Sequence, residues 1–136
     1  MPCPRAKGRR GEIELRNLLR SHGYDSAKRT GYYQSGNASN GSEVADVSCD
    51  QLPIWWEAKR TEKCHPRAFL AQAIEACPKG TSLPVVAWKQ NFQSWTSILL
   101  TEHLLLILKH CDVTALSEAI RLLEAETTME ETPSPN

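Results

Sequence analysis

IWWEAKR, residues 54–60, begins as an apolar strand and ends on a carboxylate, an alanine and two cations. Ile54 to Lys59 has the short apolar run and the bounding turn residues of a β-strand. Val44 to Cys49 reads as the strand before it, joined through Asp50-Gln51-Leu52-Pro53. With Gln51 and Leu52 at the tip of a two-residue loop, Asp50 faces Pro53, and counting back sets Asp46 opposite Glu57 and Val44 opposite Lys59. Side-chain alternation then separates the pair of strands by face. Asp46, Trp55, Glu57 and Lys59 share one side, while Val47, Cys49, Ile54, Trp56 and Ala58 share the other and can build core.

Two carboxylates directly across a ladder repel unless something positive lies between them. A divalent cation suits that place: Mg²⁺ takes oxygen ligands, accepts one or two protein carboxylates and keeps several waters. Beside it, the Lys59 amine could orient or deprotonate a water and compensate charge on a phosphate, which is the outline of a phosphodiesterase site. An exposed, salt-bridged strand end is the other reading, and a register slip of one residue would part the two acids.

The flanking chain alternates helices with strands. Arg9 to His22 carries Ile13, Leu15, Leu18 and Leu19 at helical spacing with Gly23 as its stop, and Tyr24 to Arg29 can form a short strand. Residues 30–43, TGYYQSGNASNGSE, read as a surface loop. Pro66 suits the first turn of a helix to Cys77, and strands are expected at Leu83 to Lys89 and Ser94 to Leu100. A helix capped by Thr101 should run to His110 and another from Val113 to Ala125. The expectation is an α/β domain over residues 1–126, a central mixed β-sheet flanked by helices, followed by a disordered tail at 127–136.

Composition narrows the function classes. The chain has 136 residues with 40% hydrophobic content, enough for one modest core. No apolar stretch is long enough to span a bilayer and no secretory signal opens the sequence, so a cytoplasmic protein with no membrane partner is expected. Five cysteines at irregular spacings, with no CxxC pair, read as reduced thiols. Zero net charge hides a gradient: residues 1–30 hold eight Lys/Arg and three acids, whereas residues 101–136 hold two bases and seven acids. The basic end is where a polyanion would bind; a solvated charged helix face is the plain alternative.

Asp46, ten intervening residues and then Glu57-Ala58-Lys59 resemble the PD-(D/E)xK motif of restriction-endonuclease-like nucleases. Upstream, Lys7-Gly8, then Glu12-Ile13-Glu14-Leu15 on a helix ending at His22-Gly23-Tyr24, then Lys28-Arg29 and a loop with Ser35-Gly36, are similar to the opening of archaeal-type Holliday junction resolvases and their phage relatives. The likeness covers about residues 7–100. Ala45 stands where that family usually has proline, and the acidic C-terminal third has no counterpart in it.

The resemblance implies a restriction-endonuclease-like fold and a metal-dependent, structure-selective DNA endonuclease acting on four-way junctions. It implies that Asp46 and Glu57 ligate Mg²⁺ or Mn²⁺ with help from the Ala58 carbonyl, that Lys59 is the catalytic lysine, that Glu12 approaches the metal, and that Ser35 lies near the scissile phosphate. Gln72 falls where several families of the fold place a polar active-site residue, or is an exposed helix residue. Glu12 and Glu14 point about 200° apart on a helix, so one of them can face the site; Glu12 keeps the family spacing to Gly8, and Glu14 is free to pair with an arginine. Lys7, Arg9, Arg10, Lys28, Arg29 and Arg60 are the expected DNA phosphate contacts. Tyr32 and Tyr33 can stack on exposed bases or fold back onto the core.

The near two-fold symmetry of a junction suits a homodimer, with Leu104 to Leu108 as a candidate contact if the run is not buried within one subunit. Two other readings stand beside the resolvase: an endonuclease of the same fold acting on duplex, flap or nicking substrates, and a non-catalytic nucleic-acid-binding module.

Overall fold

A computed structural model of the chain describes residues 4–30 and 44–130. Ser35, Tyr32 and Tyr33 lie outside the described residues. The elements are α1 (Pro4–Ser21), β1 (Lys28–Arg29), β2 (Val47–Ser48), β3 (Ile54–Arg60), α2 (Pro66–Ala76), β4 (Leu83–Lys89), β5 (Thr96–Ile98), α3 (Thr101–Lys109) and α4 (Val113–Glu130). The described chain forms two compact units, one through Leu99 and one from Leu100.

The first unit is α/β. Its five strands lie in sequence order, and the sheet is mixed: β3 and β4 run parallel while the other neighbours are antiparallel. The parallel pair requires a crossover, and α2 supplies it. Pro66 opens that helix at a position where its missing N–H costs nothing.

α1 starts earlier than the apolar spacing implies, at Pro4, and stops at the expected place. Gly23 takes φ +94°, and the Tyr24 N–H returns to the Leu19 carbonyl at 3.0 Å, a helix end that glycine forms without steric penalty.

Alternation along β3 assigns its faces. Trp56 and Ala58 pack with Leu15 and Leu19 of α1 and with Val47, Cys49 and Ala87, while Trp55 packs with Ala45 and with Cys77 at the end of α2. The two helices therefore cover opposite faces. β4 is buried on both, with Val85, Val86 and Ala87 all in the core, as its near-continuous apolar run requires.

Arg60 departs from expectation. Its side chain is only 8% exposed, held between α1 and the sheet with Nε 3.6 Å from Glu14, whose other partner is Lys89 at 3.2 Å. Gly11 makes this possible: a Cβ there would stand 2.5 Å from Arg60 Cγ.

At the far end of the sheet, the β4–β5 turn closes with the Gln93 N–H on the Gln90 carbonyl at 3.2 Å. Its third residue, Phe92, has φ +64°. That backbone state costs a side-chain-bearing residue about 1–2 kcal/mol and normally falls to glycine or asparagine.

The second unit holds α3 and α4. Leu100, not Thr101, is the N-cap of α3, with no side-chain capping bond. Asp112 caps α4, its Oδ1 accepting the Ala115 N–H at 3.0 Å. α4 runs to Glu130, past the expected end at Ala125 and into the segment read as tail. There Thr127 and Thr128 donate their hydroxyls back to the carbonyls of Leu123 and Glu124. In this unit Leu104, Leu105, Leu106 and Ile107 are all exposed. No helix among the described residues is long and apolar enough to cross a membrane.

Because Gly11 admits the Arg60 stem rather than its mobile tip, Gly11→Ala should push α1 off β3. Urea denaturation should show a loss of about 1–3 kcal/mol, the usual scale for overpacking. An unchanged midpoint would mean that the helix and strand do not meet as closely as described.

Candidate active site

The site is built where the β2 side of the sheet meets β3. Val47 pairs with Trp56, the register expected from the turn. One residue earlier the ladder departs from expectation: the Asp46 N–H also donates to the Trp56 carbonyl, at 3.0 Å. Two residues thus oppose one, as in a β-bulge, which bends a strand and re-aims a side chain. The simple pairing of Asp46 with Glu57 and of Val44 with Lys59 is replaced by this arrangement, and Ala45 turns to the Trp55 side.

The bulge gives Asp46 a specific role. Its Oδ2 accepts the Ala58 N–H at 2.9 Å, so a side-chain carboxylate takes a strand donor. Its own carbonyl accepts the Thr30 N–H at 3.1 Å, and the Thr30 hydroxyl donates to the Ala45 carbonyl. Backbone and side chain are both tied down.

Glu57 lies on the α2 face and is buried, 8% exposed. Trp55, two positions earlier on the same face, donates its indole N–H to Glu57 Oε1 at 3.0 Å. Burial, then the neighbouring Asp46 charge and a hydrogen bond shared with it, push the Glu57 carboxyl up to about 7. The Trp55 bond and the Lys59 charge oppose the rise without cancelling it. A carboxyl that is both stripped of water and set beside another acid ionises less readily than one in solvent.

Lys59 completes the arrangement on the same face. Its Nζ donates to Gln72 Oε1 at 2.8 Å and sits 5.3 Å from the centre of the Phe69 ring. Phe69 and Gln72 are three apart on α2 and so share a helix face. The aromatic face attracts the ammonium while the carboxamide accepts from it. His65 meets the Phe69 ring edge-on at 5.9 Å. Phe69 escapes sequence reading because FLAQAIEA looks like ordinary amphipathic helix; the contact depends on how α2 lies over β3.

The other expected site residues are dispersed. Glu12 does not join the acids: Arg29 donates to its Oε2 from Nε at 2.9 Å and Nη2 at 2.8 Å, and α1 lies on the other face of the sheet. Among the described residues no three His, Cys, Asp or Glu side chains converge. Glu14 pairs with Arg60 and Lys89, in keeping with its expected arginine partner. Lys7 lies 3.5 Å from Glu62, while Arg9, Arg10 and Lys28 are exposed and open to a polyanion. Arg60, buried under α1, is not presented to one.

Comparison with known proteins finds no matching family model, no matching curated protein and no matching solved structure.

The Glu57 shift carries a stability consequence. Its carboxyl titrates near 7 when folded against 4.5 as the ordinary value, so the folded state holds the proton more tightly. The stability that this group contributes is fully present below about 4.5, is lost as pH rises through the window to about 7, and stays absent above it. Glu57→Gln keeps an acceptor for Trp55 and removes the titration. It should stabilise the protein by roughly 2–3 kcal/mol at pH 8 and by little at pH 4, read by urea denaturation at both pH values. Equal effects at the two would show that Glu57 is not the group responsible.

Proposed function

We propose that the protein is a divalent-metal-dependent, structure-selective DNA endonuclease that hydrolyses phosphodiester bonds at four-way junctions. The observation that supports it is a buried Glu57 carboxyl set close to the Asp46 carboxylate on the sheet face that also carries the Lys59 amine. The pair is electrostatically incomplete. A cation between them would satisfy both carboxylates, and two protein carboxylates with open water positions match the preference of Mg²⁺ or Mn²⁺. Asp46, Glu57 and the Ala58 carbonyl would hold it, and when bound it would supply an acidified water and charge compensation at a phosphate.

The chain's own residues then have distinct tasks. Asp46 is held by the Ala58 N–H on its Oδ2, which fixes the direction of its carboxylate. Trp55 orients Glu57 and excludes water from one side of it. Lys59, steadied by Gln72 and Phe69, can donate a hydrogen bond to a phosphate oxygen or pass a proton to or from a water within its reach. Arg9, Arg10 and Lys28 would attract the DNA backbone from solvent. A junction offers two equivalent strands, which a homodimer would cut in pairs.

Purified protein with Mg²⁺ should convert a synthetic four-way junction into nicked duplexes. Asp46→Asn and Glu57→Gln should each lose about two orders of magnitude or more in rate, the scale of removing a charge-stabilising group, while binding of the junction in Ca²⁺ persists. Wild-type rates in both variants would overturn the site. A preference for plain duplex or flap over the junction would move the reading to another endonuclease of the same chemistry, and absence of any metal-dependent cleavage would leave a binding module.

A further inference from the structure

Phe92 is fully exposed and is held at positive φ. A left-handed backbone is unfavourable for a residue that carries a side chain, and such outliers cluster at functional sites. Its position in the sheet gives the contact a direction. The β4–β5 pairs Val86 with Ile98, Ala87 with Ser97 and Trp88 with Thr96 converge on residue 92, which is therefore the apex of the hairpin. β3 and β4 run parallel with Lys59 beside Trp88 and Arg60 beside Lys89. The turn carrying Phe92 thus leaves the same end of the sheet at which Lys59 lies.

The neighbours of Phe92 define the chemistry of its ligand. Gln90, Asn91 and Gln93 surround it with neutral amides, and Asn91 and Gln93 are exposed. A phosphate-binding tip would carry lysine or arginine. An aromatic ring between amide groups suits the face of an unstacked nucleobase and its hydrogen-bonding edge. Phe92 belongs to neither core cluster, so packing does not account for it.

We propose that Phe92 is a base-stacking residue that engages unpaired or unstacked bases of a branched DNA at the Lys59 end of the sheet. The inference rests on the endonuclease reading for its substrate class and adds the element that distinguishes a branch from plain duplex. Glycine, which tolerates positive φ, tests it directly.

The experiment uses the full chain in Ca²⁺ and measures affinity by anisotropy for a labelled four-way junction and for a blunt duplex of the same sequence, alongside urea stability. Phe92→Ala and Phe92→Gly should weaken junction binding about 5- to 100-fold, the range for loss of one base–aromatic stack, with duplex affinity unchanged and Phe92→Trp retaining junction affinity. Phe92→Gly should also be more stable than wild type, which separates lost contact from lost folding. Junction affinity equal to wild type in Phe92→Ala, an equal loss on junction and duplex, or no junction preference in the wild-type protein would each overturn the proposal. The two readings fail separately: a wild type that never cuts in Mg²⁺ but loses junction affinity on Phe92→Ala keeps the stacking residue and discards the nuclease. A wild type that cuts while Phe92→Ala binds normally does the reverse.

Discussion

A single hydrogen bond organises the candidate site: the Ala58 N–H, which in a regular ladder would seek a carbonyl, is given to the Asp46 carboxylate. The bulge at Asp46 and Val47 makes the exchange possible by placing both residues against Trp56. In consequence a charged side chain is fixed with the rigidity of backbone, next to a second acid that the sheet and Trp55 have buried. An unpaired charge in that position would be costly. The protein answers with an indole donor and a nearby ammonium, which oppose without cancelling the upward push of burial on the Glu57 carboxyl.

The two faces of β3 divide the labour. On the α1 side Trp56 and Ala58 enter the main core, and Arg60 is locked over Gly11 by Glu14. On the α2 side Trp55, Glu57 and Lys59 carry polar chemistry, with Phe69 and Gln72 set above the amine. Seven residues of one strand hold both tasks because successive side chains point to opposite sides. Stability is anchored on one face, and the buried carboxyl is tolerated on the other.

Charge is separated along the chain as well. The basic residues of the first thirty positions lie on α1 and β1, several of them exposed, while the acidic C-terminal third forms a helical unit of its own with exposed leucines on α3 and α4. A protein of zero net charge can therefore still offer a locally positive surface to a polyanion, because screening limits each charge to its own neighbourhood.

Local pattern was enough to read most of the elements. The spacing of Leu15 and Leu19, the Gly23 stop, Pro66 at a helix start and the apolar run of β4 are short-range signals, each interpretable within a few residues. The type-2 alternation of IWWEAKR was sufficient to separate Trp56 and Ala58 from Trp55, Glu57 and Lys59, and the turn set the register at Val47 and Trp56. What the chain's order could not convey was long-range: the bulge that turns Asp46 onto the Ala58 N–H, the capture of Glu12 by Arg29, the burial of Arg60 under Gly11 and the seat of Lys59 on Phe69. Each of those depends on how close two distant segments come in space, and a difference of one residue in a ladder or an ångström between helix and strand decides it, so only the folded chain can specify it.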